Sequence, residues 1–164
     1  RIGRGDLAGA AAALAQFDHA PPTPAGESEH PVTEQHLDGR LLHCELALAQ
    51  GHARDAATCA VALRELVESQ PAPALFRPVA LSAELLAGRA EAAQGHAAQA
   101  VRHFAEAAAL AAPFGQDSLF LAEALAGEAK AREAAGDTAL AGPLAARAEA
   151  IARAQGARWP LPGL

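Results

Sequence analysis

At 164 residues with a formal net charge of −6, the chain is long enough for one compact domain or one short solenoid. It lacks the clustered basic charge that a phosphate backbone requires, so direct nucleic-acid contact by this segment is not expected. Hydrophobic residues reach 51% while aromatics reach only 4%. Ala, the best helix former, supplies much of the apolar count and β-branched residues are few, which predicts an all-α chain.

Charged residues interrupt every apolar stretch before the ~20 residues that a membrane span needs, and the chain reads as cytoplasmic with no membrane contact. It contains no Met and begins at Arg1, which suggests a fragment of a larger chain.

In chain order, Leu7, Ala10, Ala11, Leu14 and Phe17 recur at three and four residues and predict a short helix ending at 17. Residues 18–32 hold Pro21, Pro22, Pro24, Gly26 and Pro31 among polar residues, a composition that sustains no helix and is expected as one long loop. Thr33 is placed to cap the next helix, with Glu34 and Asp38 near its positive end. That helix carries two apolar stripes, Leu37, Leu41, Cys44 and Leu48 on one and Leu42, Leu46 and Ala49 on the other, so burial on two sides is expected.

After Gly51 a second helix presents Ala56, Ala60, Leu63 and Val67 and breaks at Pro71 to Pro73. The next pair repeats the plan, with Val79, Ala83, Leu86 and Ala90 before Gly95, and Ala100, Val101, Phe104, Ala107 and Ala111 after it. The last pair begins after Asp117 or Ser118 as cap, turns at Gly136, and continues through Leu140, Leu144, Ala148 and Ile151. Gly142 and Pro143 are expected in its first turn, where Pro is tolerated. Helical hairpins are thus expected over 33–70, 73–112 and 117–155, followed by a non-helical tail over 156–164.

A Gly followed by Asp or His, with Ala five positions after the Gly, recurs four times: Gly5, Asp6 and Ala10; Gly51, His52 and Ala56; Gly95, His96 and Ala100; Gly136, Asp137 and Ala141. The intervals of 46, 44 and 41 residues mark stacked supersecondary units, none able to bury its face alone. Gly88, Gly95, Ala100, Phe104 and Ala107 follow the small and large spacing that resembles a tetratricopeptide repeat. Cys44, Gly51, Ala56, Ala60 and Leu63, and then Ala129, Gly136, Ala141, Ala145 and Ala148, are weaker copies, and residues 1–17 form a half repeat.

The period exceeds the ~34 residues of the standard repeat, and the aromatic positions of its first helix are missing. Both favour a longer-period relative, similar to the helical C-terminal region of large bacterial LuxR-type and signal-transduction ATPase regulators. The run from Ala148 to Trp159 is similar to the way such arrays end.

The resemblance implies a right-handed α-α superhelix of about seven helices in antiparallel hairpins, 1–164 being one repeat domain. It also implies that the first helix of each pair lines a concave face. The family's groove positions fall on Asp38, Leu41, Glu45 and Leu48, on Ser82, Leu85, Arg89 and Ala92, and on Glu123, Ala126, Lys130 and Glu133. The helical wheel independently sets Glu123 and Lys130 opposite Leu121 and Leu125. The implied function is a non-catalytic protein–protein interaction module of a bacterial transcriptional regulator, which would bind a protein, a peptide or another domain of its parent chain. The alternative is a small-molecule effector sensor using the same face, and oligomerisation stays open.

Catalytic and metal chemistry find no converging pattern, and no cofactor is expected. The seven histidines include no pair at the three- or four-residue spacing common in helical zinc sites; His36 and His43 are two turns apart and His30 lies in the loop. His52 and His96 stand where Asp6 and Asp137 stand in other units and read as capping or turn residues. Ser82, Glu84 and His96 assemble only on paper, without a nucleophile elbow, and no phosphate-binding loop ending in Lys and Ser or Thr is present. Glu128 and Arg132 read as a surface i, i+4 pair. Cys44 and Cys59 flank the turn at Gly51 and can approach one another, but two cysteines make no disulfide framework, and reduced packing cysteines are expected.

Overall fold

The computed structural model describes residues 6–18 and 33–157. Asp18, the first residue of the loop expected over 18–32, instead ends α1; residues 19–32 lie outside the described residues, as do the tail beyond 157, Trp159 included, and the first hinge glycine, Gly5. Seven α-helices and no strand occur among the described residues: α1 Leu7–Asp18, α2 Glu34–Ala49, α3 Ala53–Glu68, α4 Arg77–Ala93, α5 Ala97–Ala111, α6 Leu119–Ala134 and α7 Thr138–Ala154. Short 3-10 turns, Pro73–Phe76 and Ala112–Phe114, join α3 to α4 and α5 to α6.

The helix starts follow local chemistry. The Thr33 hydroxyl accepts from the His36 N–H at 3.3 Å and the Asp6 carboxylate from the Gly9 N–H at 2.8 Å, each satisfying an otherwise orphan donor of the first turn. Of the two cap candidates for α6, Ser118 takes the role, accepting from the Leu121 N–H at 3.2 Å.

The hinges share one construction. Gly51, Gly95 and Gly136 have φ of 84°, 79° and 83°, a left-handed conformation that a Cβ disfavours. At each, the glycine N–H and the N–H of the next residue reach back into the preceding helix: Gly51 to Leu48 and His52 to Ala47, Gly95 to Ala92 and His96 to Glu91, Gly136 to Glu133 and Asp137 to Arg132, all at 2.9–3.0 Å. These are Schellman ends, which use up the last carbonyls of the helix and reverse the chain. Gly156, expected in the non-helical tail, closes α7 in the same way, with φ of 68° and an Ala157 N–H bond to Ala152 at 2.8 Å. The alanines five positions after the three glycines, Ala56, Ala100 and Ala141, are buried; their small side chains let the second helix lie close against its neighbours.

Each helix packs against its neighbours in the chain, and α4 also touches α2 and α6. Helices α3, α5 and α7 bury one stripe apiece, for example Ala100, Phe104, Ala107 and Ala111 on α5. Helices α4 and α6 are buried on two sides; for α4 the sequence shows this in a second apolar stripe, Leu81, Leu85 and Ala92, whereas α6 shows only Leu121 and Leu125. Helix α2 departs from this pattern, because α1 covers only Leu46 of its second stripe while Leu42 is 44% exposed. Leu140 of α7 is likewise exposed rather than part of its stripe.

Phe104 is the wedge of the central hairpins. Its ring lies against the backbones of α4 and α6: a Cβ on Gly88 would stand 3.0 Å from ring carbons, and one on Gly127 would overlap the ring outright. Close approach therefore excludes a side chain at Gly127 unless the ring moves and leaves little room for one at Gly88, and Gly88 and Phe104 are contact partners.

Three expectations are corrected. Cys44 and Cys59 are not reduced; they form a disulfide. The antiparallel register of α2 and α3, set by the turn at Gly51, brings their Cα atoms to 5.5 Å, within bonding geometry. Pro143 lies inside α7, a turn beyond the first, because the helix already begins at Thr138. Glu128 is buried rather than at the surface, since α6 is covered on both sides, and its pair with Arg132 is the inner half of a network described below.

Candidate functional site

The first helices of the three pairs, α2, α4 and α6, lie side by side, and their facing residues meet in a row. Arg89 of α4 forms an ion pair with Glu123 of α6, and from the other side it feels the charge of Glu45 on α2. Burial holds the Glu45 carboxyl above the usual carboxylate range, with Arg89 opposing that shift. Burial likewise pushes the Arg89 guanidinium down, with Glu45 opposing. For both groups the loss of water outweighs the attraction between them. The Arg89 Nε–H is buried without a hydrogen-bond partner.

Beside this row an open pocket of about 420 Å³ lies between α4, α5 and α6. Phe104, Gly127, Ala92 and Ala131 line it, and its charged members are Arg89 and Lys130. Lys130 is exposed and has no carboxylate within ion-pair distance among the described residues. A mostly apolar wall with few polar groups is the usual make-up of a small-ligand site.

The sequence-predicted positions thus divide. Glu45, Arg89 and Glu123 come together, and Arg89 and Lys130 share the pocket with Ala92. Leu85 is spent on the core, 4% exposed in the cluster with Leu81, Leu121 and Leu125, because α6 stacks directly on it. Ala126 is buried in the same cluster. Leu41 and Leu48 are half-buried around Cys44, and Ser82 is half-buried on α4. Asp38 and Glu133 are exposed near opposite ends of the face.

A second charged cluster escaped sequence reasoning. The buried Glu84 carboxylate of α4 pairs with His103 Nδ1 of α5 at 2.8 Å, and stands 3.4 Å from Arg64 Nε of α3. Arg64 also reaches Glu68 at 2.6 Å and Glu106 at 3.9 Å. One carboxylate therefore ties three helices together. Its signal in the sequence was an acid flanked by apolar residues in the middle of a helix, Ala83 before it and Leu85 and Leu86 after it, where a charge has little solvated side to occupy.

The paper triad of Ser82, Glu84 and His96 does not assemble, because Glu84 turns to His103 while His96 Nδ1 pairs with Glu91 at 2.7 Å. His96 makes no side-chain cap, nor does His52. At the equivalent turn Asp137 pairs with Arg132 at 2.9 Å, the same span of five residues with the charges exchanged. Arg132 also bonds Glu128 at 2.7 and 2.8 Å, and those bonds raise its pKa. Among the described residues no cluster of three His, Cys, Asp or Glu side chains is placed to hold a metal ion, and no helix is long and apolar enough to cross a membrane.

The chain matches no family model, and neither a curated protein nor a solved structure matches it.

Proposed function

We propose that this chain is a non-catalytic interaction module, a tetratricopeptide-like right-handed stack of helical hairpins that serves as the regulatory helical-repeat region of a cytoplasmic bacterial transcriptional regulator. It binds an extended or helical peptide of a partner protein, or of another domain of its own parent chain, across α2, α4 and α6. The observation that supports this reading is the continuity of that face: three successive first helices contribute Glu45, Arg89 and Glu123 to one charged row. The exposed Lys130 and the pocket over Phe104 lie next to it. Mixed charge beside apolar relief suits recognition of a peptide segment.

Selection of a displayed peptide library on the intact chain tests the reading. Selected peptides should lose at least about tenfold in affinity, a loss of roughly 1.4 kcal/mol, on Lys130→Glu. Peptides that bind wild type and variant equally would remove the face from consideration.

The pocket itself favours a second reading, a small-molecule effector whose binding shifts the parent regulator between states. A metabolite library screened by thermal shift separates the two. Saturable stabilisation by a small molecule, lost on Lys130→Glu, would favour the sensor.

A further inference from the structure

We propose that the Cys44–Cys59 disulfide is a thiol–disulfide exchange site, through which a dithiol reductant releases α2 from α3 and thereby withdraws Glu45 from Arg89. The proposal does not depend on the partner or effector suggested above.

Three observations meet at this bond. The two cysteines are unequally exposed: Cys44 is fully buried among Ala60, Leu86 and Ala87, whereas Cys59 is partly exposed. Helix α2 is also the least embedded of the first helices. Four of its residues are buried, Leu37, Gly39, Cys44 and Leu46, against ten on α4 and nine on α6, and Leu42 faces solvent. A covalent link that closes a separation of 15 residues is thus a large share of what fixes α2. Finally, Glu45 follows Cys44 directly in the chain on the helix that packs against α4, so the residue that anchors α2 and the residue whose charge acts on Arg89 belong to one turn of helix.

The chemistry balances without a further reactant. A thiolate of the reductant attacks Sγ of Cys59, the more exposed cysteine; the S–S bond breaks and Cys44 leaves as a thiolate that takes up a proton. The second thiol of the reductant then attacks its own sulfur in the mixed disulfide and releases the Cys59 thiolate, which is protonated in turn. Two electrons and two protons pass to the protein, and the dithiol ends as a disulfide. Most disulfides that form in a reducing compartment are transient or redox-sensing, and a bond with one partly exposed cysteine, joined to the least embedded of the first helices, offers exchange a side of approach.

Amide hydrogen exchange on the intact chain, purified in air and compared with and without dithiothreitol, tests the proposal. Non-reducing peptide mapping should find Cys44 joined to Cys59 before reduction. On reduction, exchange over 34–49 should accelerate by on the order of tenfold or more, while α6 and α7 keep their protection. Two free thiols in the air-purified protein, or an unchanged rate over 34–49 after reduction, would overturn it.

The link to Glu45 has its own readout. Any difference in melting temperature between Glu45→Gln and wild type at neutral pH should shrink when both are reduced. A difference of the same size in both redox states would disprove the coupling. No cysteine variant is needed, so misfolding cannot obscure the result.

Discussion

Glu45 shows how a single carboxylate can sit in a site without stabilising it. Its pKa is raised from the ordinary 4.5 because burial costs the charged form more than Arg89 returns. The folded state therefore holds this proton more tightly than the unfolded chain, and stability contributed by the group falls as pH rises through the folded-state pKa. Glu45→Gln should be more stable than wild type at pH 7, and the gap should close as pH falls below 4.5. Denaturant titrations at a series of pH values measure this; a gap that widens on acidification would show that Arg89 dominates after all.

Phe104 is the opposite case, a residue whose whole contribution is shape. Phe104→Ala should cost about 3–5 kcal/mol, and Gly127→Ala about 1–3 kcal/mol by forcing the ring aside, both read from chemical unfolding. Because the same ring forms part of the pocket wall, Phe104→Ala should also change any ligand response, whereas an equally costly core truncation at Leu63 should not.

At the scale of helices and turns, most of the molecule was legible in the sequence. Helices α3 and α5 bury the apolar stripe they show, and α7 buries its stripe except for the exposed Leu140; Gly51, Gly95 and Gly136 mark the reversals because only a residue without a Cβ adopts their φ easily. What escaped was whatever depends on register between helices. The spacing of Cys44 and Cys59 about Gly51 allows pairing or not, and only the seating of α2 on α3 decides it. Glu128 looked like an ordinary surface acid until the covering of α6 on both sides left it nowhere solvated to point, and Glu84 is buried on α4 in the same way. Of the face inferred by resemblance, three of the six charged members, Glu45, Arg89 and Glu123, converge, while Asp38, Lys130 and Glu133 stay exposed and Leu85 was assigned to it from a position that stacking of α6 consumes.

Pro143 offers a test at this scale. It lies in the second turn of α7, exposed, where its missing N–H costs a helical hydrogen bond. Pro143→Ala should raise stability by about 1–3 kcal/mol, visible as a higher denaturation midpoint with an unchanged slope.

For the whole molecule, the contact pattern decides how damage spreads. Helices touch their chain neighbours, α4 alone bridging to both α2 and α6, so the stability of such an arrangement is close to a sum of local units and the interfaces between them. A lesion near one end should then stay near that end. Leu63 of α3 packs with Leu37 and Val79, all within α2, α3 and α4, so Leu63→Ala should cost about 2–5 kcal/mol and raise amide exchange in those helices while leaving α6 and α7 protected. Phe104 stands instead at the middle, against both α4 and α6, and Phe104→Ala should loosen helices on both sides. The comparison distinguishes a chain of coupled units from a single cooperative block: in a block, both variants would raise exchange uniformly from α2 to α7. A difference between them would mean that an event at α2, such as loss of its crosslink, reaches the central pocket only through α4, where Arg89 already connects the two.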